Sequence, residues 1–180
     1  MATNRGKQFE EVIKEAFESI PDVSIDRLHD QTTGYRGSSN ICDFIVYREP
    51  YEFYFECKSV HGNTLSISSI PKPDKNGILR GYHGNITDKQ WDGLIEKSKI
   101  PGVFAGIICW WIDKDVTMFL PIKLLRSMYG RGWKSVSSDF SGVDFNYYPI
   151  VVAGKKKRVF FDYDMEKLLN DITGGGYGKI

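Results

Sequence analysis

Residues 41–59, ICDFIVYREPYEFYFECKS, constrain this chain more than any other stretch. Two runs of β-branched and aromatic residues flank the turn signal Arg48-Glu49-Pro50, so they read as the paired strands of a hairpin. Charge interrupts both runs, at Asp43 in the first and at Glu56 and Lys58 in the second. In a strand, residues two apart share a face. Glu52, Tyr54, Glu56 and Lys58 therefore project together, and Phe53, Phe55 and Cys57 take the other side. In the first run Asp43 alternates with Ile41, Ile45 and Tyr47, while Cys42, Phe44 and Val46 face the opposite way. Both faces there are apolar, so Asp43 does not belong to a solvated stripe.

Burying an unpaired carboxylate is costly, and two carboxylates that converge repel each other. A divalent cation relieves both problems, and oxygen-only ligation suits magnesium, with manganese able to substitute. Asp43 and Glu56 are the candidate ligands, and the backbone carbonyl of Cys57, between the two functional positions, is a further one. A cation held there polarises a phosphoryl oxygen and lowers the pKa of a bound water from about 15.7 toward roughly 7. Lys58 would orient that water or offset charge developing on the phosphate, a role that suits a compact ammonium. Two carboxylates and an amine so placed are the equipment of a magnesium-dependent nuclease. The plain alternative is a surface cross-pair of Glu56 with Lys58, and an Asp43 that only begins a turn.

Ahead of the hairpin, Asn4 can cap a helix whose apolar residues are Phe9, Val12, Ile13, Ala16, Phe17 and Ile20, stopped by Pro21 and Asp22. At about 100° per residue, Glu10 lies at the edge of that stripe and Glu11 points to water. Glu10 is thus the acidic residue of this helix that can reach the hairpin site, unless it is only a favourable charge in a first turn.

Further along, Val23–Leu28 reads as a strand, followed by a polar loop, His29–Asn40, whose basic residue is Arg36. Leu65–Ile70 is expected to be extended, and a loop of lysines, prolines and glycines runs through Asn85. Thr87 caps a helix, Asp88–Lys99, with Trp91, Leu94 and Ile95 as its apolar face, stopped by Pro101-Gly102. The near-continuous apolar run Val103–Ile112 predicts a buried strand. Asp113–Asp115 is then a turn, Val116–Leu120 a strand, and Ile122–Met128 a short helix. Residues 130–146 read as loop. Tyr147–Ala153 and Arg158–Tyr163 read as a hairpin around Gly154-Lys155-Lys156-Lys157, and a helix over Asp164–Ile172 precedes a Gly-rich tail, 173–180, expected to be flexible.

Helix, three strands, helix, strand, with acidic residues on the second and third strands, is the order of the PD-(D/E)xK nuclease core. Asn4-Arg5-Gly6 followed by Phe9-Glu10-Glu11 resembles the opening motif of RecU-type Holliday-junction resolvases, whose catalytic Asp and Glu-x-Lys match Asp43, Glu56 and Lys58 at the same spacing. Their next helix opens with a polar segment and a glutamine, as in Thr87-Asp88-Lys89-Gln90, and Tyr148-Pro149-Ile150 and Arg158–Tyr163 are similar too. The resemblance spans about residues 4–170. It implies a restriction-endonuclease-like α/β (α+β mixed) fold, a central mixed sheet flanked by helices. It implies magnesium-dependent cleavage of four-way junctions with Glu10, Asp43, Glu56, Lys58 and Gln90 as catalytic residues, and a twofold homodimer presenting two sites to one junction. Members of that family carry a long basic stalk where this chain has only His29–Asn40, so junction selectivity is less firmly implied than phosphodiester cleavage. Such a compact version resembles something a bacteriophage encodes. Restriction- or repair-type cleavage of duplex DNA, or DNA binding without catalysis, fits the same fold.

Composition is consistent with this reading. At 180 residues and 41% hydrophobic, residues 1–172 are expected to form one globular nuclease domain. No apolar run reaches the roughly 18 residues of a membrane span, and MATNRGKQF is no signal peptide. Cys42, Cys57 and Cys109 fall in expected core strands without zinc spacing, which points to a reducing cytoplasm, that of a bacterial host or its nucleoid. His29, His61 and His83 fall in loops and read as surface residues, although His61, three residues past Lys58, could touch DNA. The net charge is only +1, so cationic contacts to DNA must be local. Arg5, Arg36, Lys72, Lys75, Arg80, Lys155 and Lys156 are the candidates, with Arg131 and Lys134 nearby and Tyr82, Trp133 and Tyr147 interleaved. The lysine run around 155–157 is equally a solvated hairpin tip that blunts edge pairing. Trp110, Trp111 and Phe119 are candidates for a dimer interface or for the core.

Overall fold

A computed structural model of the chain describes residues 5–28, 40–68, 72–73, 79–80, 82–140 and 146–176. The element order is α1 (Arg5–Glu18), β1 (Ser24–Arg27), β2 (Phe44–Arg48), β3 (Tyr51–Val60) and β4 (Thr64–Ser66). Four two-residue strands follow, β5 (Lys72–Pro73), β6 (Leu79–Arg80), β7 (Tyr82–His83) and β8 (Ile86–Thr87). Next come α2 (Asp88–Lys97), β9 (Val103–Trp111), β10 (Val116–Pro121), α3 (Ile122–Gly130) and β11 (Ser135–Ser137). The chain ends in β12 (Ile150–Val151), β13 (Gly154–Lys156), β14 (Phe161–Tyr163) and α4 (Met165–Asp171), which runs on into a π turn, Ile172–Gly176.

The central sheet has the order β1-β2-β3-β9-β10-β12. β1, β2 and β3 form an antiparallel meander, and β3 then pairs in parallel with β9, Glu56 opposite Ile107 and Lys58 opposite Cys109. A parallel pair needs a crossover connection, and α2 supplies it. The sheet is therefore mixed and flanked by helices, the α/β class expected from the sequence.

Alternation along β3 divides the core. Phe53, Phe55 and Cys57 pack with Phe9, Ile13 and Phe17 of α1 and with Leu168 and Leu169 of α4. Tyr54 on the other side packs with Trp91 and Leu94 of α2 and Leu124, Leu125 and Met128 of α3. Phe9, Ile13 and Phe17 recur at a spacing of four, so one stripe of α1 is fully buried while Glu11 stays exposed. Trp110 and Trp111 point to opposite faces of β9 and are both buried, as is Phe119 on β10. All three belong to the core and are not an interface.

Other expectations are corrected. Asp43 precedes β2, whose pairing begins at Phe44. The pleat does not extend to Cys42, which packs on the α2 side with Tyr54 and not with Phe44 and Val46. The stretch 130–146 contains β11, because Val136 is apolar and pairs with Leu65 of β4. The C-terminal hairpin is formed by β13 and β14 alone. Lys155 and Lys156 lie within its first strand, the turn falls at Lys157–Phe160, and β12 pairs instead with β10. Of the expected extended run Leu65–Ile70, Leu65 and Ser66 belong to β4 (Thr64–Ser66), and residues 69–70 lie outside the described residues. Asn4 and residues 177–180 lie outside the described residues.

Candidate active site

Glu10, Leu28, Asn40, Cys42, Asp43, Glu56, Cys57, Lys58, Thr87 and Gln90 line one cleft of about 290 Å³. It lies where α1, the end of β1, the start of β2, the middle of β3 and the first turn of α2 meet. All five residues expected to be catalytic therefore face a common space.

Each has a local reason to be there. Asp43 sits where β2 has not yet begun, so Cys57 N–H finds no backbone carbonyl opposite and donates to Asp43 Oδ2 at 2.7 Å. That N–H points toward the β2 side of β3. The Phe55 carbonyl, two residues earlier, points the same way and accepts from Asp43 N–H at 3.1 Å. The Cys57 carbonyl shares this direction and faces the gap that Asp43 fills. Glu56 and Lys58 rise from the α2 face of β3. Glu56 is only 2% exposed, and its Oε1 accepts from Lys58 Nζ and from Gln90 Nε2, each at 2.6 Å. Gln90 is fixed from behind by a capping box: its Oε1 accepts from Thr87 N–H at 3.0 Å and its own N–H donates to Thr87 Oγ1 at 3.2 Å. The same side chain thus closes the helix N-terminus and reaches the buried carboxylate. Gly93 lets α2 come this close, because a Cβ there would lie 2.5 Å from Ile41 Cγ2.

Glu10 is held by Arg27, a residue whose role sequence reasoning missed. Arg27 Nη2 contacts Glu10 Oε2 at 2.7 Å and Nη1 contacts Glu11 Oε2 at 2.8 Å, with the guanidinium 5.9 Å from the centre of the Phe44 ring. The clamp ties α1 to β1 and aims one of two adjacent glutamates into the cleft. The available signal was a lone arginine ending a short strand, too common to single out.

Burial raises two of the cleft's carboxyls above their ordinary range. Burial pushes the Glu56 carboxyl up to about 8, against the opposing pull of Lys58, and the nearby Asp43 raises it further. Burial also raises Asp43, which the Cys57 N–H partly offsets. The carboxyls of Asp43 and Glu56 line the same cleft. Neither can donate when ionised, and Glu56 Oε2 is buried without a hydrogen-bond partner. A proton or a cation between them removes the conflict. Among the described residues no three His, Cys, Asp or Glu side chains form a ready-made metal cage. The donor set nevertheless fits a hard divalent cation: two carboxylates, one with an orphaned oxygen, and a strand carbonyl aimed into the same gap. The thiols flanking the site are protonated, Cys42 being pushed by burial to about 12 and Cys57 well above its ordinary range.

The expected DNA contacts are more scattered. Arg5 is exposed at the start of α1, on the side of Asp113. Lys155 is exposed on β13, whereas Lys156 pairs with Asp115 and lies 4.7 Å from the centre of the Phe161 ring. Lys156 is therefore engaged in the fold. Arg36 and Lys75 lie outside the described residues, as do the side chains of Lys72, Arg80 and Tyr82. His61 is exposed and paired with Asp113 at 3.0 Å, away from the lining of the cleft.

No family model matches this sequence, and no curated protein matches it significantly. Among solved structures the chain is similar to Hjc of Archaeoglobus fulgidus, a Holliday junction resolvase. The identity is 14% and the TM-score 0.43, over 74% of this chain and 87% of that one. Similarity of that size carries no functional weight, and the chemistry rests on the side chains themselves.

Proposed function

We propose that this chain is a divalent-metal-dependent endonuclease that cuts four-way DNA junctions. The observation that carries the reading is buried Glu56, one of its oxygens without a partner, in the same cleft as half-buried Asp43, with Gln90 and Lys58 on its other oxygen. A structural ion pair has no need of a second carboxylate pressed against it, since leaving that carboxylate out would be less costly. Asp43, Glu56 and the Cys57 carbonyl would hold magnesium, or manganese in its place. The cation would supply Lewis acidity toward the scissile phosphate and its attacking water.

The protein groups divide the remaining work. Cys57 N–H fixes the Asp43 carboxylate, and Gln90 fixes that of Glu56, so both ligands are oriented before substrate arrives. Lys58, part-exposed on the lip, orients the attacking water and offsets charge growing on the phosphoryl oxygens. Glu10, aimed by Arg27, adds a third negative group facing the same space. The order of motifs resembling RecU-type resolvases favours a branched substrate, and a homodimer would place two such clefts on opposing strands. Among the described residues no helix is long and apolar enough to cross a membrane.

The test pairs the wild-type chain with Asp43→Ala on a synthetic four-way junction and a matched linear duplex, with and without magnesium. Paired junction nicks that require both Asp43 and magnesium support the proposal. Equal cutting of the duplex reassigns the chain to a general endonuclease, and no cleavage of either substrate leaves only a DNA-binding fold.

A further inference from the structure

Asn40 lines the candidate active site beside Asp43 and Glu56, yet none of the roles assigned to the cleft falls to it. Among the described residues its Nδ2 is buried and has no hydrogen-bond partner. The other side-chain nitrogens lining the cleft are engaged, since Lys58 Nζ and Gln90 Nε2 both reach Glu56 Oε1 at 2.6 Å. The same cleft thus holds a buried donor and a buried acceptor, Glu56 Oε2, and neither satisfies the other. An unpaired buried donor lowers stability, whereas an apolar side chain of the same shape would not. Nor does the amide sit on a loose end. Ile41, next in the chain, packs where α2 has Gly93, and Cys42 is 2% exposed. Asp43 then joins β1 to β3, its carbonyl accepting from Leu28 N–H at 2.8 Å and its N–H donating to the Phe55 carbonyl at 3.1 Å.

We infer that the Asn40 amide donates a hydrogen bond to a non-bridging oxygen of the phosphate being cut. The inference rests on the endonuclease reading and adds to it a residue in contact with substrate. A phosphoryl oxygen is a charged acceptor with no proton of its own, and an N–H bonds most strongly to such a partner. The donor here is best uncharged, because an ammonium beside Asp43 and Glu56 would compete with the cation those carboxylates are proposed to hold. A neutral amide contacts the phosphate without that competition, and Lys58 on the lip supplies the charge. One other occupant matches both orphaned groups, a resident water that accepts from Asn40 and donates to Glu56. Such a water would make Asn40 part of the fold and not of the reaction. The two cases respond differently to removal of the amide.

The experiment gives Asn40→Leu, close to the native shape, and Asn40→Ala two readouts. Melting temperatures are measured in chelator without DNA. Single-turnover cleavage is measured across a magnesium series on a four-way junction that carries, at its mapped cut site, ordinary phosphate or either phosphorothioate diastereomer. Asn40→Leu is expected to melt at or above the wild type, and both variants to cleave about 10²-fold more slowly at saturating magnesium. The magnesium needed for half-maximal cleavage should stay as in the wild type, because Asn40 holds no metal ligand in place. Sulfur is a weak acceptor, so replacing the oxygen that Asn40 contacts should slow the wild type in one diastereomer and leave the variants insensitive to that replacement. Wild-type rates in both variants would overturn the inference. A fall in melting temperature in both variants, with the sulfur effect unchanged, would assign Asn40 to a structural water and overturn it as well. A wild-type chain that cuts no DNA would sink the endonuclease reading and this inference together, an outcome distinct from a cutting wild type with unaffected variants.

Discussion

Glu56→Gln is expected to stabilise the metal-free chain, and to do so more strongly as pH rises from about 6 to about 8. Glu56 is 2% exposed and burial pushes its carboxyl from an ordinary 4.5 up to about 8. Between those values the folded chain keeps a proton that the unfolded chain has released, so folding takes up a proton and each added pH unit removes stability. The contribution is most favourable below about 4.5 and is lost progressively as pH climbs through about 8. For one proton the slope approaches ~1.4 kcal/mol per unit, which gives roughly 2 kcal/mol over the window, allowing for partial ionisation near its upper end. At 2–4 °C per kcal/mol for a chain of this size, the wild type should melt about 4–8 °C lower at the alkaline end. Asp43 is shifted in the same direction from an ordinary 3.8, so its contribution is likewise lost as pH rises. Asp113 is shifted downward, so its contribution is present above its ordinary 3.8 and is lost only in acid, outside the window. The buried thiols Cys42 and Cys57 are shifted up and stay protonated throughout.

Thermal melts in a chelator, followed by far-ultraviolet circular dichroism across the window, check this. The wild-type curve should slope and the Glu56→Gln curve should be nearly flat, lying furthest above it at the alkaline end. Saturating magnesium should lift the wild type at the alkaline end and do little for the variant. A wild-type melting temperature independent of pH in chelator, or a variant less stable than the wild type at the alkaline end, would show that Glu56 is an ordinary paired carboxylate.

Lys58→Met should lower single-turnover cleavage by about 10²–10³-fold while DNA affinity is retained, the loss expected for one electrostatic contact to the reacting phosphate; parallel loss of affinity would assign Lys58 to binding. Gln90→Ala removes a positioning contact at 2.6 Å and should raise the magnesium needed for half-maximal cleavage by about 10–100-fold, leaving the rate at saturation closer to wild type. Arg27→Met should act in the same assay through Glu10, with exposed Glu11→Gln as a control that changes little. Gly93→Ala gains about 1 kcal/mol of helix propensity, but overpacking against Ile41 costs roughly 1–3 kcal/mol, so the melting temperature should fall. Combining Gly93→Ala with Ile41→Ala, which removes the Cγ2 methyl that valine would keep, should recover part of the loss if the Ile41 contact is the cause.

The parts of the site legible in the sequence are those fixed by short-range periodicity. A period of two along residues 52–58 put Glu56 and Lys58 on one face, and the i, i+4 stripe of α1 singled out Glu10 over Glu11. The capping signal at Thr87 placed Gln90 in the first turn of α2, although its catalytic role came only from the motif resemblance and its contact with Glu56 only from the structure. What was illegible depends on contacts between segments distant in the chain. Arg27 gains its role because β1 lies beside β2 with α1 packed across them, and nothing within SIDR announces that. The pairing of β4 with β11 joins segments some seventy residues apart through a single apolar pair, Leu65 and Val136, so no local pattern shows it. The register of β13 with β14 was misread because the lysine run looks like a tip, whereas Gly154 packs so closely on the partner strand that an added Cβ would lie 3.0 Å from the Asp162 carbonyl oxygen.

The three carboxylates of the cleft differ in how firmly each is held, and this difference fits a site prepared for a cation. Asp43 rests on a backbone N–H that cannot move without disrupting β3, and Glu10 rests on an arginine that also grips Glu11. Glu56 shares one oxygen between Gln90, locked by its capping box, and Lys58, a flexible side chain 22% exposed. Of these partners only Lys58 can leave without breaking secondary structure. On the proposed reading, Asp43 and Glu56 would hold a divalent cation whose charge favours both as carboxylates, and Lys58 could then turn toward the phosphate with no rearrangement of the sheet or of α2. Burial of Glu56 is expected to lower the stability of the metal-free chain, and on the proposed reading the same burial would keep its oxygens dry and preoriented for a cation.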